Sequence, residues 1–338
     1  MTTSGLRQET LSEAACTEPG SNPHPPPPAA IRPWGGCEDS NLVPYARSVR
    51  SHTTFLLLGV LAISTGSIFL RLAEAPSLGE AFWRCALATL CLLPLAARRL
   101  VSDWRGLSRA GRRSSLVAGL FLAGHFAAWI ESLEWTGVAQ SVLLVSTTPL
   151  WVALIAPFAT GDRLSRAARW GLVAALAGTL LMHAQVPGDA RDPLRGAILA
   201  LMGAWCATGY LLIGRRLRPE LGLFSYSVLC YGSAAAALLV LNLAADSPLA
   251  GYPRATWGWL ALAAVIPQGV GHTTLNWALR HASAPLVSIS LLGEPAFATL
   301  LAWSILGERP TVFLLLGGPI VLFGIWLSSR GESERPNS

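Results

Sequence analysis

Residues 147–178 read TTPLWVALIAPFATGDRLSRAARWGLVAALAG, and residues 293–324 read GEPAFATLLAWSILGERPTVFLLLGGPIVLFG. At an offset of 146 residues the two stretches pair Pro149 with Pro295, Gly161 with Gly307, Asp162 with Glu308, Arg163 with Arg309, Gly171 with Gly317 and Gly178 with Gly324. Prolines and glycines punctuate a chain, so chance rarely aligns so many of them. Further upstream the offset becomes 143, where Gly66 meets Gly209, Leu78 meets Leu221 and Gly79 meets Gly222. The chain is therefore two related units in tandem, with a three-residue difference in one connection.

Composition places these units in lipid. Of 338 residues 52% are hydrophobic and only 13% charged, against roughly 45–50% and about 25% in ordinary soluble domains. The polar residues cluster, leaving apolar blocks long enough to cross ~30 Å of hydrocarbon at ~1.5 Å per residue. These blocks predict helices over 55–72, 78–97, 114–131, 138–158 and 166–184, then 195–214, 222–244, 257–278, 284–305 and 311–329. The expected fold is an all-α integral membrane protein of ten transmembrane helices, arranged as two inverted five-helix repeats over 55–184 and 195–329.

An odd number of helices per unit makes the second copy enter the bilayer from the opposite side, and inverted repeats of this kind permit alternating access about a solute site near the midplane. The arginines set the orientation. Arg98, Arg99, Arg105, Arg109, Arg112 and Arg113 fall between the second and third blocks, and Arg215, Arg216 and Arg218 between the sixth and seventh; by the positive-inside rule both connections, and both termini, are expected in the cytoplasm.

All 25 basic residues are arginine, which excludes Schiff-base lysines and a P-loop lysine. The net charge of +6 sits in short loops rather than on a basic, aromatic-interleaved face, so nucleic acid is not an expected partner. Cys16, Cys37, Cys85, Cys91, Cys206 and Cys230 show no metal or redox spacing, and the last four read as small apolar fillers of helices. No cofactor or metal is expected. Residues 1–50, with Pro23 and Pro25 to Pro28, have the composition of a disordered cytoplasmic tail. Residues 330–338 form a second, short one. The first apolar stretch begins only at Phe55, so a cleaved signal peptide is not expected.

Ten helices in two units, an arginine inside the second helix (Ala81-Phe82-Trp83-Arg84), a proline early in the fourth (Thr148-Pro149-Leu150), and Gly293-Glu294-Pro295 followed by Leu306-Gly307-Glu308-Arg309 together resemble an EamA-type member of the drug/metabolite transporter superfamily. The likeness covers about 55–329. It implies a secondary carrier or exporter of small metabolites, such as amino acids or related compounds, with a cavity lined by helices three, four, eight and nine and parts of one and six. It also favours a bacterial inner membrane. Asp162 departs from the glutamate common at its position. The alternatives are an intramembrane enzyme, for which Gly161-Asp162 is placed in a loop and no nucleophile elbow exists, and a non-transporting sensor or scaffold.

Within the blocks, polar residues mark the solute path. Glu294 lies deep in the ninth helix, where a carboxylate costs several kcal/mol unless it is protonated, paired or wetted; transport chemistry, with a coupling proton, and a pairing or capping role before Pro295 both stand open. Its repeat counterpart is Thr148. Ser290 and Glu294 share a stripe with Val287, as Thr148 does with Ser141 and Leu144, and Gln140 lies on a neighbouring face. For the hydroxyls, helix–helix hydrogen bonding is the simpler reading. His125 with Trp129, and His272 with Asn276, are i, i+4 pairs in corresponding regions, offering donors and an aromatic wall; Trp277 is a further candidate. Two separated histidines are too few for a metal. Arg84 reads as structural, snorkelling or tying helices together through carbonyls and Glu80. The expected partners are thus a small solute, the bilayer and a proton, with a homodimer left open.

Overall fold

The computed structural model describes residues 42–136, 138–182, 191–307 and 310–333, with backbone alone at 42–52, 138–140, 306 and 332–333. Most of the expected N-terminal tail, the end of the C-terminal one, and Glu308 and Arg309 lie outside the described residues. Every regular element described is helical. In chain order they are α1 (Leu42–Ser64), α2 (Gly66–Ala73), α3 (Ser77–Gly106), α4 (Arg109–Trp135), α5 (Val138–Val145), α6 (Thr148–Ala159), α7 (Arg166–Met182), α8 (Pro193–Leu217), α9 (Leu223–Ala244) and α10 (Arg254–Ala263). A wide π-type stretch (Ala264–His272) joins α10 to α11 (Thr273–His281), and a single 3₁₀ turn (Leu291–Gly293) joins α12 (Ala284–Ser290) to α13 (Glu294–Leu306), before α14 (Val312–Ser333).

Side-chain and proline caps fix several of the starts. Ser108 accepts the Gly111 amide at 3.0 Å ahead of α4, Asp192 accepts that of Arg195 at 3.1 Å ahead of α8, and Pro193 then occupies a first-turn position where no amide donor is needed. Residues 42–50, read from sequence as the end of the tail, belong to α1. Pro44 falls in the first turn, where it is tolerated, and nothing after it interrupts the helix.

Among the described residues eight helical stretches are long and apolar enough to cross a bilayer, against ten expected. The two remaining blocks are both helical. α7 has 17 residues and runs to the edge of the described segment, while Arg254–His281 is continuous but carries buried Gln268, His272, Thr273, Thr274 and Asn276, which lower its apolarity. The protein is a multi-pass integral membrane protein with an all-helical body.

The main packings join the two sequence units: α3 lies on α9, α4 on α8, α1 on the π-type stretch, α2 on α10, and α7 on α14. The last of these is built from paired glycines. A Cβ at Gly171 would stand 2.5 Å from the Gly324 carbonyl oxygen and one at Gly324 2.5 Å from that of Gly171; Gly178 and Gly317 face each other at 2.7 and 2.5 Å. Main chain therefore touches main chain, the close approach by which helices associate where lipid is as apolar as the side chains. Substituting Gly178 or Gly324 by leucine should destabilise the fold by about 3 kcal/mol or more, since overpacking against backbone has no flexible group to yield. Thermal unfolding of the detergent-solubilised protein checks this, with Gly258→Ala, where a Cβ meets nothing within 4 Å, as the unaffected control; an unchanged midpoint in the leucine variants would refute the seam.

Candidate functional site

Three helix interruptions meet in one place. The first helix breaks at Thr65, the second gap falls between α5 and α6 at 146–147, and the third is the 3₁₀ turn between α12 and α13. Pro149 and Pro295 are the second residues of α6 and α13, so each proline restarts a helix where its missing amide is not required. Hydroxyls take up carbonyls left at the breaks: Thr65 Oγ1 donates to Ala62 O at 2.7 Å, Thr147 to Leu144 O at 2.6 Å, Thr148 to Val145 O at 2.7 Å, and Ser64 to Glu294 O at 3.2 Å. Broken backbone at membrane depth survives only where it is repaired in this way or lines a cavity.

Here it does both. A partly open cavity, with about 800 Å³ of non-protein space counting its open mouth, is lined at the breaks by Ile63, Gly66, Ser67, Val145, Ser146, Thr148, Pro149, Leu291, Leu292 and Glu294. Unbroken elements add Arg84 from α3, Leu122, His125, Phe126 and Trp129 from α4, Ala207, Tyr210 and Leu211 from α8, and His272 and Leu275. His125 Nδ1 donates to the Gly203 carbonyl at 3.0 Å, which leaves Nε2 as the ring's remaining polar atom, and its ring stacks on Trp129 at 5.9 Å and 8°. Glu294 opens α13, so its carboxylate stands at the positive end of that half-helix.

Of the sequence-derived candidates, His125, Trp129, Thr148, His272 and Glu294 are brought together on this cavity. The side chain of Gln140 lies outside the described residues. Ser141 and Ser290 do not reach the cavity: Ser141 Oγ bonds Ser132 Oγ at 2.5 Å and Ser290 Oγ donates to Leu286 O at 2.9 Å, both fully buried. The expected stripe assumed an unbroken α-helix. The 3₁₀ turn winds at three residues per turn, so Ser288, Leu291 and Glu294 face the cavity instead. Asn276 is drawn into a buried network, accepting from Tyr210 Oη and donating to Ser227 Oγ at 3.2 Å and Tyr231 Oη at 3.1 Å. Trp277 packs edge-on to Phe55 at 4.8 Å, away from the cavity.

Arg84 is in the cavity wall, which the sequence reading missed. Its Nε donates to Gln268 Oε1 at 2.7 Å and its guanidinium lies 4.3 Å above the Phe126 ring; the expected carbonyl ties and ion pair to Glu80 are not made among the described residues. Tyr210, Ser67 and Ser288 were also missed. The equivalence of Gly66 and Gly209 was the available signal, because it makes Ser67 and Tyr210, both lining residues, repeat counterparts.

One helical turn beyond the cavity's wall on α8, α11 and α12 lies an ion pair. Asp162, in the loop after α6, accepts Arg215 Nε at 3.0 Å and Nη2 at 3.2 Å, Thr160 Oγ1 at 3.1 Å and the Ala284 amide at 3.1 Å, while Arg215 Nη1 donates to Leu279 O at 2.9 Å. Arg215 and Leu279 each follow a lining residue by four positions along the helix face, namely Leu211 and Leu275, and Ala284 precedes the lining residue Ser288 by four. The pair thus ties the two units together at this end. Nearby, just past α8, Arg218 donates Nε to Asn276 O at 2.8 Å, and burial pushes its guanidinium down to about 10, still charged at neutral pH.

Comparison with known proteins gives a single answer. The family model described as the EamA-like transporter family matches twice, over residues 51–184 and 194–330. Relatives include the pseudopaline exporter CntI of Pseudomonas aeruginosa, 25% identical over 81% of this chain and 95% of its own length. A riboflavin transporter of Rhizobium johnstonii is 27% identical over 83% and 89%. A solved crystal structure superposes with a TM-score of 0.70 at 20% identity, covering 82% of this chain and 96% of that one, which shows the fold.

The ion pair generates a test of its own. Asp162→Ala and Arg215→Ala, singly and together, should show a coupling of about 1 kcal/mol or more in unfolding free energy; strictly additive losses would show that the bidentate contact ties nothing.

Proposed function

The chain belongs to the EamA-like transporter family, and we propose that it is a secondary carrier moving a small metabolite, an amino acid or related compound, by alternating access between two inverted five-helix units. It is a membrane transporter rather than an enzyme. The observation that carries the mechanism is the meeting of two half-helix N-termini, α6 at Thr148 and α13 at Glu294, at one cavity between the two units. Discontinuous helices at corresponding positions of two inverted halves are where carriers of this kind place their solute. The double match of one family model and the equivalent left-handed Gly161 and Gly307, at φ 76° and 73°, support two units of five helices, spanning 55–184 and 195–329.

In this reading His125, Trp129, Thr148, His272 and Glu294 contact the solute, Glu294 carries the coupling proton, and the Asp162–Arg215 pair holds the cavity shut on the side where α8 ends. The arginines between α3 and α4 and at the end of α8 support an orientation with that side, and both termini, facing the cytoplasm, and the bacterial relatives support an inner-membrane location. In the same reading the segments before α1 and after α14 face the cytoplasm, and the transport cycle does not use them.

Proteoliposomes loaded with a panel of labelled amino acids and nucleobases test this. A solute should move down an imposed proton gradient in the native protein, and Glu294→Gln should lower the gradient-driven rate at least tenfold, on the order of 1.4 kcal/mol, and flatten its pH profile. An unaltered pH profile in Glu294→Gln would reject the proton role. Failure of every solute to move under any gradient would reject the carrier.

A further inference from the structure

We propose that Arg84 is the anchor for a carboxylate on the transported solute, and that carboxylate-bearing monoanions or zwitterions with an apolar body are therefore the substrate class. This rests on the carrier reading of the cavity. Arg84 is 3% exposed and lines the cavity, yet among the described residues no carboxylate lies within 4.0 Å of it. Glu80 and Glu294 are near enough to interact electrostatically but form no ion pair with it. A buried charge without a counter-ion in direct contact is costly to hold.

Its hydrogen bonding is incomplete in one direction. Nε is taken by Gln268, and among the described residues neither Nη group has a protein acceptor. A guanidinium can only donate, so the oxygen of Gln268 must face it, leaving Gln268 Nε2 as a buried donor with no partner. Trp129 Nε1, a donor only, is likewise buried and unpartnered, as is His272 Nδ1. Every one of these groups belongs to the cavity wall or touches it. The Arg84 Nη groups, Gln268 Nε2 and Trp129 Nε1 are thus donors that no protein acceptor among the described residues takes up, Glu294 on the same cavity included, and a solute carboxylate supplies two oxygens able to accept from the two Arg84 Nη groups.

Charge and shape narrow the class. Arg84 repels a solute that is only cationic. Glu294 on the same cavity opposes a dianion such as a phosphate monoester, and it suits an ammonium on the same molecule. Leu122, Phe126, Leu211 and Leu275 offer an apolar wall to the rest of the solute. The repeat counterpart of Arg84, at the offset of 143, is Ser227, so the anchor exists once and a single carboxylate has a place.

The test is equilibrium binding to the full chain in nanodiscs, by calorimetry, using 3-phenylpropionate, 3-phenylpropionamide, 3-phenylpropylamine and phenyl phosphate. The carboxylate should bind at least about tenfold more tightly than the other three, a difference of ~1.4 kcal/mol. Arg84→Gln should abolish that preference, and Trp129→Phe, which keeps an aromatic wall without the Nε1 donor, should weaken the carboxylate more than the amide. A native chain that binds the amide as tightly as the carboxylate, or binds no carboxylate, overturns the proposal, as does a preference that survives Arg84→Gln. Should Arg84→Gln not fold, equal weakening of both probes by Trp129→Phe overturns it. Carboxylate selectivity in nanodiscs with no movement in vesicles would sink the carrier reading while leaving this site in place.

Discussion

Hydrocarbon offers no hydrogen bonds, so a backbone amide or carbonyl left open in it costs several kcal/mol. That one constraint organises the molecule. It makes every regular element described a helix, and it allows a helix to break only where hydroxyls or a cavity receive the freed groups. The breaks at Thr65, at 146–147 and at Leu291–Gly293 obey it together: Ser64, Thr65, Thr147 and Thr148 cover carbonyls, and the breaks themselves line the cavity. The site lies where the chain is least regular because nowhere else can irregularity persist.

The same constraint explains what was legible in sequence. Apolar blocks are counted easily since each must be long enough to bridge the bilayer, and the duplicated Pro, Gly and Gly-acid-Arg pattern disclosed the two units before any geometry. Glu294, His125, Trp129, Thr148 and His272 stood out as polar groups in apolar surroundings, and they do share one cavity. What failed was register. Placing Ser290 rather than Ser288 on the cavity came from carrying a 3.6-residue period through Leu291–Gly293, and the 3₁₀ turn found there depends on how α12 and α13 pack, which no local pattern records. Block 257–278 was legible as a helix but not in its π-type winding, for which neither Pro267 nor the polar residues gave a distinct signal.

The partners of Arg84 and Asp162 were out of reach for a related reason. Sequence shows a charge's neighbours along the chain, and so suggested Glu80 for Arg84 and named no partner for Asp162. The partners that matter are 184 positions away, at Gln268, and 53 and 122 positions away, at Arg215 and Ala284. Burial raises the value of such a contact by removing competing water, and burial is a property of the assembled bundle.

The glycine seam between α7 and α14 can also be set beside the cavity as a record of how a duplicated unit ages. At Gly171, Gly178, Gly317 and Gly324 both copies hold the same residue, each position being pinned by the backbone of the other copy. Around the cavity the counterparts have parted: Arg84 against Ser227, Thr148 against Glu294, Ser67 against Tyr210. A seam made of main chain tolerates no drift on either side, which frees the rest of each copy to specialise. Symmetry survives where the two halves hold each other, and is lost where together they hold something else.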